Sequence, residues 1–176
     1  KHPNDMVQMD ILGPFYIHHQ SSARNYIISC IVDDCSRKVA SKCSERKRSI
    51  DVLDVLEEWI TVVNGKPKKI MHDNGKQFTS KIFKRFLEHN NMKDKPIRIS
   101  IPTPRKVEAY NKIVKNEFVS VEDISSKDEG KLRYDMFVKA YNDKREHVGI
   151  NGLTPSEMFY KHSIDRITEI ITSRKV

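Results

Sequence analysis

The chain has 176 residues, of which 38% are hydrophobic and 32% are charged, so it can bury a core and is too hydrophobic for a disordered polypeptide. Its net charge of +8 suits a polyanionic partner such as nucleic acid, or a soluble basic surface without a partner. The three cysteines lack CxxC spacing and no apolar run is long enough to cross a bilayer, which argues against a disulfide framework, a zinc knuckle and a membrane span. We expect one soluble domain in a reducing, intracellular compartment.

The first part of the chain predicts three β-strands joined by short polar links. Residues 6–15 form the first, which contains Asp10 and is expected to end at a Gly-Pro pair. Residues 25–34 are so apolar that both faces of the second strand should be buried, and residues 37–44 form a shorter third strand. Strands that follow one another at this spacing predict an antiparallel meander.

Helices and strands then alternate. A helix capped by Ser49 runs over residues 50–63, and a strand over 68–73 ends at Asp73. Thr79 or Ser80 caps the next helix. A fifth strand over 96–102 and helices over 106–119, 131–144 and from 154 onwards complete the prediction.

Three acidic residues stand apart by position. Asp10 lies within the first strand, Asp73 ends the fourth, and Glu108 falls in the first turn of the helix after the fifth. If the first and fourth strands are neighbours, Asp10 and Asp73 lie side by side and Glu108 can reach both. Carboxylates brought together are tolerated through a divalent cation or a raised pKa, and two Mg²⁺ ions roughly 3.5–4 Å apart support phosphodiester chemistry. Among 24 acidic residues, spacing alone does not single out this trio.

Five segments, in order, resemble the DDE transposases and retroviral-type integrases, most closely the integrase core of bacterial and archaeal insertion-sequence transposases. They are VQMDILGP, IVDDCSRKV, HDNGKQFTS, KVEAYNKIVKNEF and YNDKREHVGINGLTPSEMF, and the resemblance extends from about Met6 to Tyr160. It implies an RNase H-like α/β fold: a mixed five-stranded sheet, its first three strands antiparallel, with helices on both faces. Residues 1–176 would be one catalytic core, with a DNA-reading domain expected ahead of it in a full-length protein.

The resemblance also implies a function. Asp10, Asp73 and Glu108 would be the catalytic residues and would bind two Mg²⁺ or Mn²⁺ ions. The reaction would be cleavage at a mobile element's DNA ends and transfer of the 3′-hydroxyl into target DNA. The partners would be both DNAs and further copies of the chain, in the cytoplasm of a prokaryote at the nucleoid.

Further residues take roles from the same motifs. Asn74 and Gly75 would form a tight turn that leaves the metal edge open to DNA, and Phe78 would seat the following helix. The third-acid helix would contact DNA phosphates, unless its lysines only form a solvated face. The predicted DNA-binding residues are Arg105, Lys106, Asn111, Lys112 and Lys115.

The segment before Glu108 departs from the family pattern. That pattern reads Pro-Gln-x-Asn-Gly-Lys-x-Glu, whereas this chain has Pro104-Arg-Lys-Val-Glu108, with 34 residues between Asp73 and Glu108. The loop is either shorter here or residues are missing from it, and Ala109 replaces a commonly basic residue. Two alternatives therefore stay open: a hydrolytic nuclease of the same fold, and a catalytically silent DNA-binding or assembly module.

Other polar residues have simpler interpretations. We expect His72 to be a partly buried residue at a strand end, with orientation of Asp73 or contact with a scissile phosphate as the alternative. Cys30 should be part of the core. Asp33 and Asp34 should cap their own turn. Arg145 and His147 should fix the last loop against the domain.

Overall fold

The computed structural model describes residues 2–16, 24–97, 106–121, 124, 126–160 and 172. It contains one mixed sheet in the strand order β3-β2-β1-β4-β5. Strands β1, β2 and β3 form the predicted antiparallel meander, and β4 and β5 run parallel to β1. The strands are β1 Val7–Tyr16, β2 Arg24–Asp33, β3 Val39–Ser44, β4 Lys69–His72 and β5 Lys93–Pro96.

The helices follow the predicted order, with one short addition, α2, between β4 and the next long helix. A π-helical turn, Lys115–Val119, continues α4, and a 3₁₀ turn, Val148–Ile150, precedes the last helix. Among the described residues, no helix is both long enough and apolar enough to span a bilayer. The α-helices are α1 Ser49–Val63, α2 Lys76–Thr79, α3 Lys81–His89, α4 Lys106–Val114, α5 Lys127–Asp143 and α6 Pro155–Tyr160.

One face of the sheet packs against α1, α2 and α3. Val7, Met9 and Ile31 point to this side, since alternate residues of a strand share a face. They meet the fully buried Leu56 and Trp59 of α1. The indole N–H of Trp59 is satisfied by Asn4 Oδ1 at 2.9 Å, so this large ring is buried without an orphaned donor.

The other face packs against α4 and α5. Cys30 and Val32 of β2 contact a cluster that includes Val107, Tyr110 and Tyr134. The two phenol oxygens lie 3.0 Å apart, and that of Tyr134 lies 2.6 Å from Ser41 Oγ on β3. The prediction of helices on both faces is confirmed, and α4 is fixed against the centre of the sheet.

Two element ends differ from the prediction. Strand β1 continues through Gly13-Pro14 to Tyr16, because a register shift between Leu12 and Phe15 takes up the Gly-Pro pair and Gly13 adopts a φ of 124° that favours glycine. Helix α1 is capped by Arg48, whose backbone N–H donates to Asp51, and Ser49 is its first residue. Ser80 caps α3 as predicted, by accepting from the Phe83 amide.

The fifth strand also begins earlier than predicted. Residues 93–96 pair with β4, whereas the predicted strand over 96–102 falls mostly outside the described residues. All four residues of β5 are exposed, so its sequence carries no alternation of apolar and polar residues. Its pairing rests on backbone hydrogen bonds at the edge of the sheet, where Lys and Pro are well tolerated.

Candidate active site

Asp10 lies on the face of β1 that meets α4. Its Oδ2 accepts a hydrogen bond of 2.9 Å from the Asn111 amide, and its Oδ1 accepts one of 2.8 Å from the Ile11 N–H. The carboxylate is half-buried. The first predicted acid is therefore held by a side chain of the helix that carries the third.

Behind Asp10 lies the thiol of Cys30, which is buried as predicted. Its sulfur is 3.4 Å from Asn111 Oδ1 and 3.6 Å from the Asp10 carbonyl oxygen. Burial and the nearby Asp10 charge raise the pKa of this thiol well above its ordinary value. Cys30 therefore remains a neutral donor, which leaves the Asn111 N–H₂ group directed at the carboxylate.

Asp73 directly follows β4, the parallel neighbour of β1. The pairs Val7–Ile70 and Gln8–Met71 set the register, and Asp73 comes two residues after the second of these pairs. The Asp73 side chain is exposed, and its Oδ1 accepts from the Gly75 N–H at 2.9 Å. The predicted adjacency of the first and fourth strands is confirmed.

Glu108 lies in the first turn of α4 and is exposed. Asn111 comes three residues later, so the two residues share a helix face. The start of α4 is held by Gln8, whose Oε1 accepts from the Lys106 N–H at 2.8 Å and the Val107 N–H at 3.3 Å. Gln8 and Asp10 point to the same face of β1, so one strand fixes both the start of the helix and its Asn111.

The three acids suit Mg²⁺ in donor chemistry, because carboxylate oxygens are the ligands that this hard cation prefers. Asp10 stands on β1, Asp73 follows the adjacent parallel strand β4, and Glu108 lies on α4, which packs over β1 and β2. In the part of the chain that the structure describes, however, no group of three His, Cys, Asp or Glu side chains is arranged to hold a metal ion. The donor set fits the metal, and its three members are not gathered into one ready-made cluster.

The turn after Asp73 leaves little space for a side chain at residue 75. A Cβ added to Gly75 would lie 2.9 Å from Asp73 Oδ1 and would also meet the Gln77 side chain. Asn74 is exposed, and Phe78 is fully buried beneath the turn. The roles of Asn74 and Gly75 at a metal edge open to DNA stay predictions.

The predicted DNA-binding residues fall into three groups. Lys112 and Lys115 are exposed on or just after α4, and Lys106 is half-buried at its start. Asn111 is only 8% exposed and its amide contacts Asp10, so it lies inside the site. Arg105 is outside the described residues.

A sequence profile of the integrase core domain matches residues 1–102, more than half of the chain. The chain belongs to the integrase core domain family. No curated protein matches it at a significant level of sequence similarity.

Solved structures agree in fold with this integrase core. The catalytic core domain of HTLV-2 integrase in complex with magnesium, in a dimeric form, has a TM-score of 0.70 and 21% identity, over 90% of this chain and 98% of that one. Its trimeric form gives a TM-score of 0.69. An intasome of simian T-cell lymphotropic virus with the PP2A regulatory subunit B56 gamma gives 0.75 at 20% identity, over 93% of this chain and 56% of that one. The predicted RNase H-like fold is confirmed.

Sequence analysis missed the contacts of Gln8, and it gave Asn111 a role in DNA binding and not its contact with Asp10. Gln8 is a polar residue in an apolar strand, two positions before Asp10, and that shared face was the available signal. For Asn111 the signal was its position three residues after Glu108, but the same spacing suits a surface contact. Both residues are buried, at 1% and 8% exposure, which the sequence does not specify.

Asp33 caps its turn as expected, because its carboxylate accepts from the backbone N–H groups of Cys35 and Ser36. Asp34 also accepts a hydrogen bond of 2.8 Å from the Gln8 Nε2, a contact that the sequence does not predict.

The predicted anchor of the last loop is also present. Arg145 forms a two-pronged ion pair with Glu117, at 2.5 and 2.8 Å. The His147 ring packs edge-on against Tyr141, and its backbone N–H donates to the Leu153 carbonyl. These contacts tie the loop to α5 and to the turn after α4, as the sequence predicts.

Proposed function

We propose that this integrase core cleaves DNA at the end of a mobile element and transfers the new 3′-hydroxyl into target DNA, in a metal-dependent reaction. The observation that carries the proposal is the hydrogen bond from Asn111 to Asp10. It joins the first acid of the family motif to the helix that bears Glu108, and Asp73 follows the adjacent strand.

Asp10, Asp73 and Glu108 would hold Mg²⁺ or Mn²⁺, two ions in all. Bound ions of this kind supply Lewis acidity and neutralise charge at a phosphodiester. An integrase core of the same fold, that of HTLV-2, is described in complex with magnesium, which supports this choice of cofactor.

The chain's own groups prepare these carboxylates. Asn111 and the Ile11 N–H direct the two oxygens of Asp10, and the Gly75 N–H directs Asp73. Donors already in position need not reorganise during the reaction. The main contribution of the protein is therefore positioning.

The proposed reaction has two steps. In the first, a water oxygen bonds to phosphorus and the bond from phosphorus to the 3′-oxygen breaks, which frees a 3′-hydroxyl and leaves a 5′-phosphate. In the second, that hydroxyl bonds to a phosphorus of target DNA and displaces the 3′-oxygen there. One phosphodiester replaces another in the second step, so it requires neither ATP nor a covalent protein intermediate.

Lys112 and Lys115 would bind the DNA backbone that leads to the acids, together with Arg105 and Lys106. Such contacts supply affinity and orientation without sequence information, and the net charge of +8 favours them. Asn111 would act near the DNA through its hold on Asp10. Two DNA segments, the element end and the target, would be the substrates.

We also propose that copies of the chain assemble on the two element ends, in the cytoplasm of a prokaryote at the nucleoid. The HTLV-2 core in dimeric and trimeric forms and the simian virus intasome are relatives in fold that form assemblies. Size-exclusion chromatography with light scattering, with and without element-end DNA, tests this proposal.

A strand-transfer assay on labelled DNA with a free 3′-hydroxyl tests the function itself. Asp10→Asn, Asp73→Asn and Glu108→Gln should each reduce joining at least about 100-fold, because each removes a charged ligand. Asp54→Asn and Glu57→Gln are matched controls on α1, beyond the opposite face of the sheet, and should join DNA normally. Joining unaffected by the three substitutions would contradict the proposal.

A catalytically silent DNA-binding module is the second candidate. It is favoured by the lack of a closed three-residue metal cluster among residues 2–16, 24–97, 106–121 and 126–160. Calorimetric titration with Mn²⁺ separates the two, since a silent module would bind DNA and no metal. Cleavage without joining would instead indicate a hydrolytic nuclease.

A further inference from the structure

A buried polar pair lies directly behind Asp73. His72 ends β4 and its side chain is 1% exposed. Its Nε2 lies 2.7 Å from Asp94 Oδ1 on the edge strand β5, and its Nδ1 contacts the carbonyl oxygen of Asp73. The ring is stacked on Phe78 at a centroid distance of 4.9 Å and meets Phe83 edge-on.

The partners of the ring determine where its hydrogens lie. A carbonyl oxygen only accepts, so Nδ1 must carry the hydrogen that bonds to Asp73. Nε2 lies within hydrogen-bond distance of the Asp94 carboxylate, so the ring is held at both nitrogens. Without Asp94 the ring keeps only its aromatic packing and its contact with the Asp73 carbonyl, and nothing fixes the direction of Nδ1 from the side of β5.

We infer that His72 and Asp94 are positioning residues for Asp73. Asp94 fixes the orientation of the His72 ring through Nε2, and Nδ1 fixes the peptide that carries Asp73. The Gly75 N–H holds the carboxylate of the same residue, so Asp73 is restrained at both its backbone and its side chain. The inference rests on the proposed function, in which Asp73 binds the metal.

This arrangement matters because β4 ends at His72 and the chain turns immediately into α2. The strand ladder cannot fix a residue beyond its last pair, His72 with Pro96. The contact between His72 and Asp94 on β5 supplies that restraint from the side. Hydrogen bonds to the supports of a metal ligand commonly change metal affinity by about 10–100-fold when they are removed.

Three variants of the full chain separate hydrogen bonding from packing. His72→Phe keeps an aromatic ring between Phe78 and Phe83 and removes both hydrogen bonds. Asp94→Ala removes the partner of Nε2. Asp94→Asn preserves the arrangement, because its amide N–H can donate to Nε2 while Nδ1 keeps its hydrogen.

The matched control is Asp5→Ala, which breaks the contact of 2.7 Å between Asp5 and Lys68, just before the opposite end of β4. Mn²⁺ alone is the probe, and its affinity is measured by calorimetry. The ¹⁵N shifts of the His72 ring report its tautomer without any metal. Circular dichroism checks that each variant is folded.

We expect His72→Phe and Asp94→Ala to bind Mn²⁺ about 10-fold or more weakly, and Asp94→Asn and Asp5→Ala to stay within about 3-fold of the unsubstituted chain. The double variant that combines His72→Phe with Asp94→Ala should bind Mn²⁺ no more weakly than His72→Phe alone, because both changes break one connected unit. The ¹⁵N shifts should show a hydrogen on Nδ1 in the unsubstituted chain and in Asp94→Asn, because Nδ1 donates to the Asp73 carbonyl.

Two results would overturn the inference alone: unchanged Mn²⁺ affinity in folded His72→Phe and Asp94→Ala, or an Asp94→Asn variant as defective as Asp94→Ala. Failure of the unsubstituted chain to bind Mn²⁺ would overturn the proposed function, and the inference with it. Mn²⁺ binding by the unsubstituted chain therefore distinguishes failure of this inference from failure of the proposed function.

Discussion

The Asn111 amide nitrogen lies 2.9 Å from Oδ2 of Asp10, across 101 residues of sequence. This bond ties the central strand of the sheet to the helix that carries Glu108, one turn earlier. Asn111 is buried against the strand, whereas Glu108, three residues earlier on the same helix face, is exposed. The relationship makes Asn111 the connection between two of the proposed metal ligands.

Replacing Asn111 with alanine should therefore weaken Mn²⁺ binding and strand transfer by about 10–100-fold, since Asp10 loses a donor that directs its carboxylate. Calorimetry and the joining assay measure the two effects. Asn116→Ala is the control, because Asn116 is exposed on the π-helical turn that continues the same helix. Equal behaviour of the two variants would show that Asn111 does not support Asp10.

Gln8 should matter for stability more than its position in a strand suggests. Its amide oxygen accepts from Lys106 and Val107 at the start of α4, and its nitrogen donates to Asp34. Gln8→Leu retains the approximate volume and removes all these bonds, so we expect a loss of about 1–3 kcal/mol in the free energy of unfolding. Urea denaturation measures it.

The control for Gln8 is the same chemical change at Gln77, a half-exposed residue of α2. Gln77→Leu should change the free energy of unfolding by only about 0.5 kcal/mol. If the two variants unfold at the same urea concentration, the bonds from Gln8 to α4 contribute nothing to the stability of the fold.

Much of this fold could be predicted because its signals are local. Helix α1 is predicted by apolar residues at helical spacing, and the order of strands allowed β1, which contains Asp10, to be placed beside β4, which precedes Asp73. The bond between Gln8 and Lys106 spans 98 residues, and no local pattern encodes it. The start of β5 at Lys93 was missed because the exposed residues of this strand carry no apolar alternation.

The same substitution of two serines on neighbouring strands should change the free energy of unfolding in opposite directions. Ser29 Oγ is buried and has no hydrogen-bond partner among the described residues. Ser41 Oγ lies 3.0 Å from the Ser29 carbonyl and 2.6 Å from the Tyr134 hydroxyl. We expect Ser29→Ala to stabilise the fold by about 1 kcal/mol and Ser41→Ala to destabilise it by about 1–2 kcal/mol.

Thermal and urea unfolding of the two serine variants, compared in parallel, measure this difference. Each variant is the control for the other, because the substitution removes the same atom from adjacent buried strands. Destabilisation by Ser29→Ala equal to that of Ser41→Ala would mean that the Ser29 hydroxyl is satisfied after all.

The buried tyrosines predict a loss of stability in alkaline solution. Burial raises the pKa of Tyr110 and of Tyr134 well above the ordinary value of 10.0, so the folded chain keeps both phenols neutral. In the unfolded chain they ionise above about pH 10, and the unfolded state then binds fewer protons. Stability is therefore retained below pH 10 and falls as the pH rises further, by about 1.4 kcal/mol per pH unit for each phenol.

Tyr134→Phe removes one of these phenols, and its effect is measured as the slope of the free energy of unfolding against pH. At pH 8 the variant should be less stable by about 1 kcal/mol, because the bonds to Tyr110 and Ser41 are lost. Above pH 10 its stability should fall less steeply than that of the unsubstituted chain, by about 1.4 kcal/mol per pH unit. Urea unfolding at intervals from pH 8 to pH 11 measures both slopes, and parallel slopes would show that the Tyr134 phenol ionises equally well in the folded state.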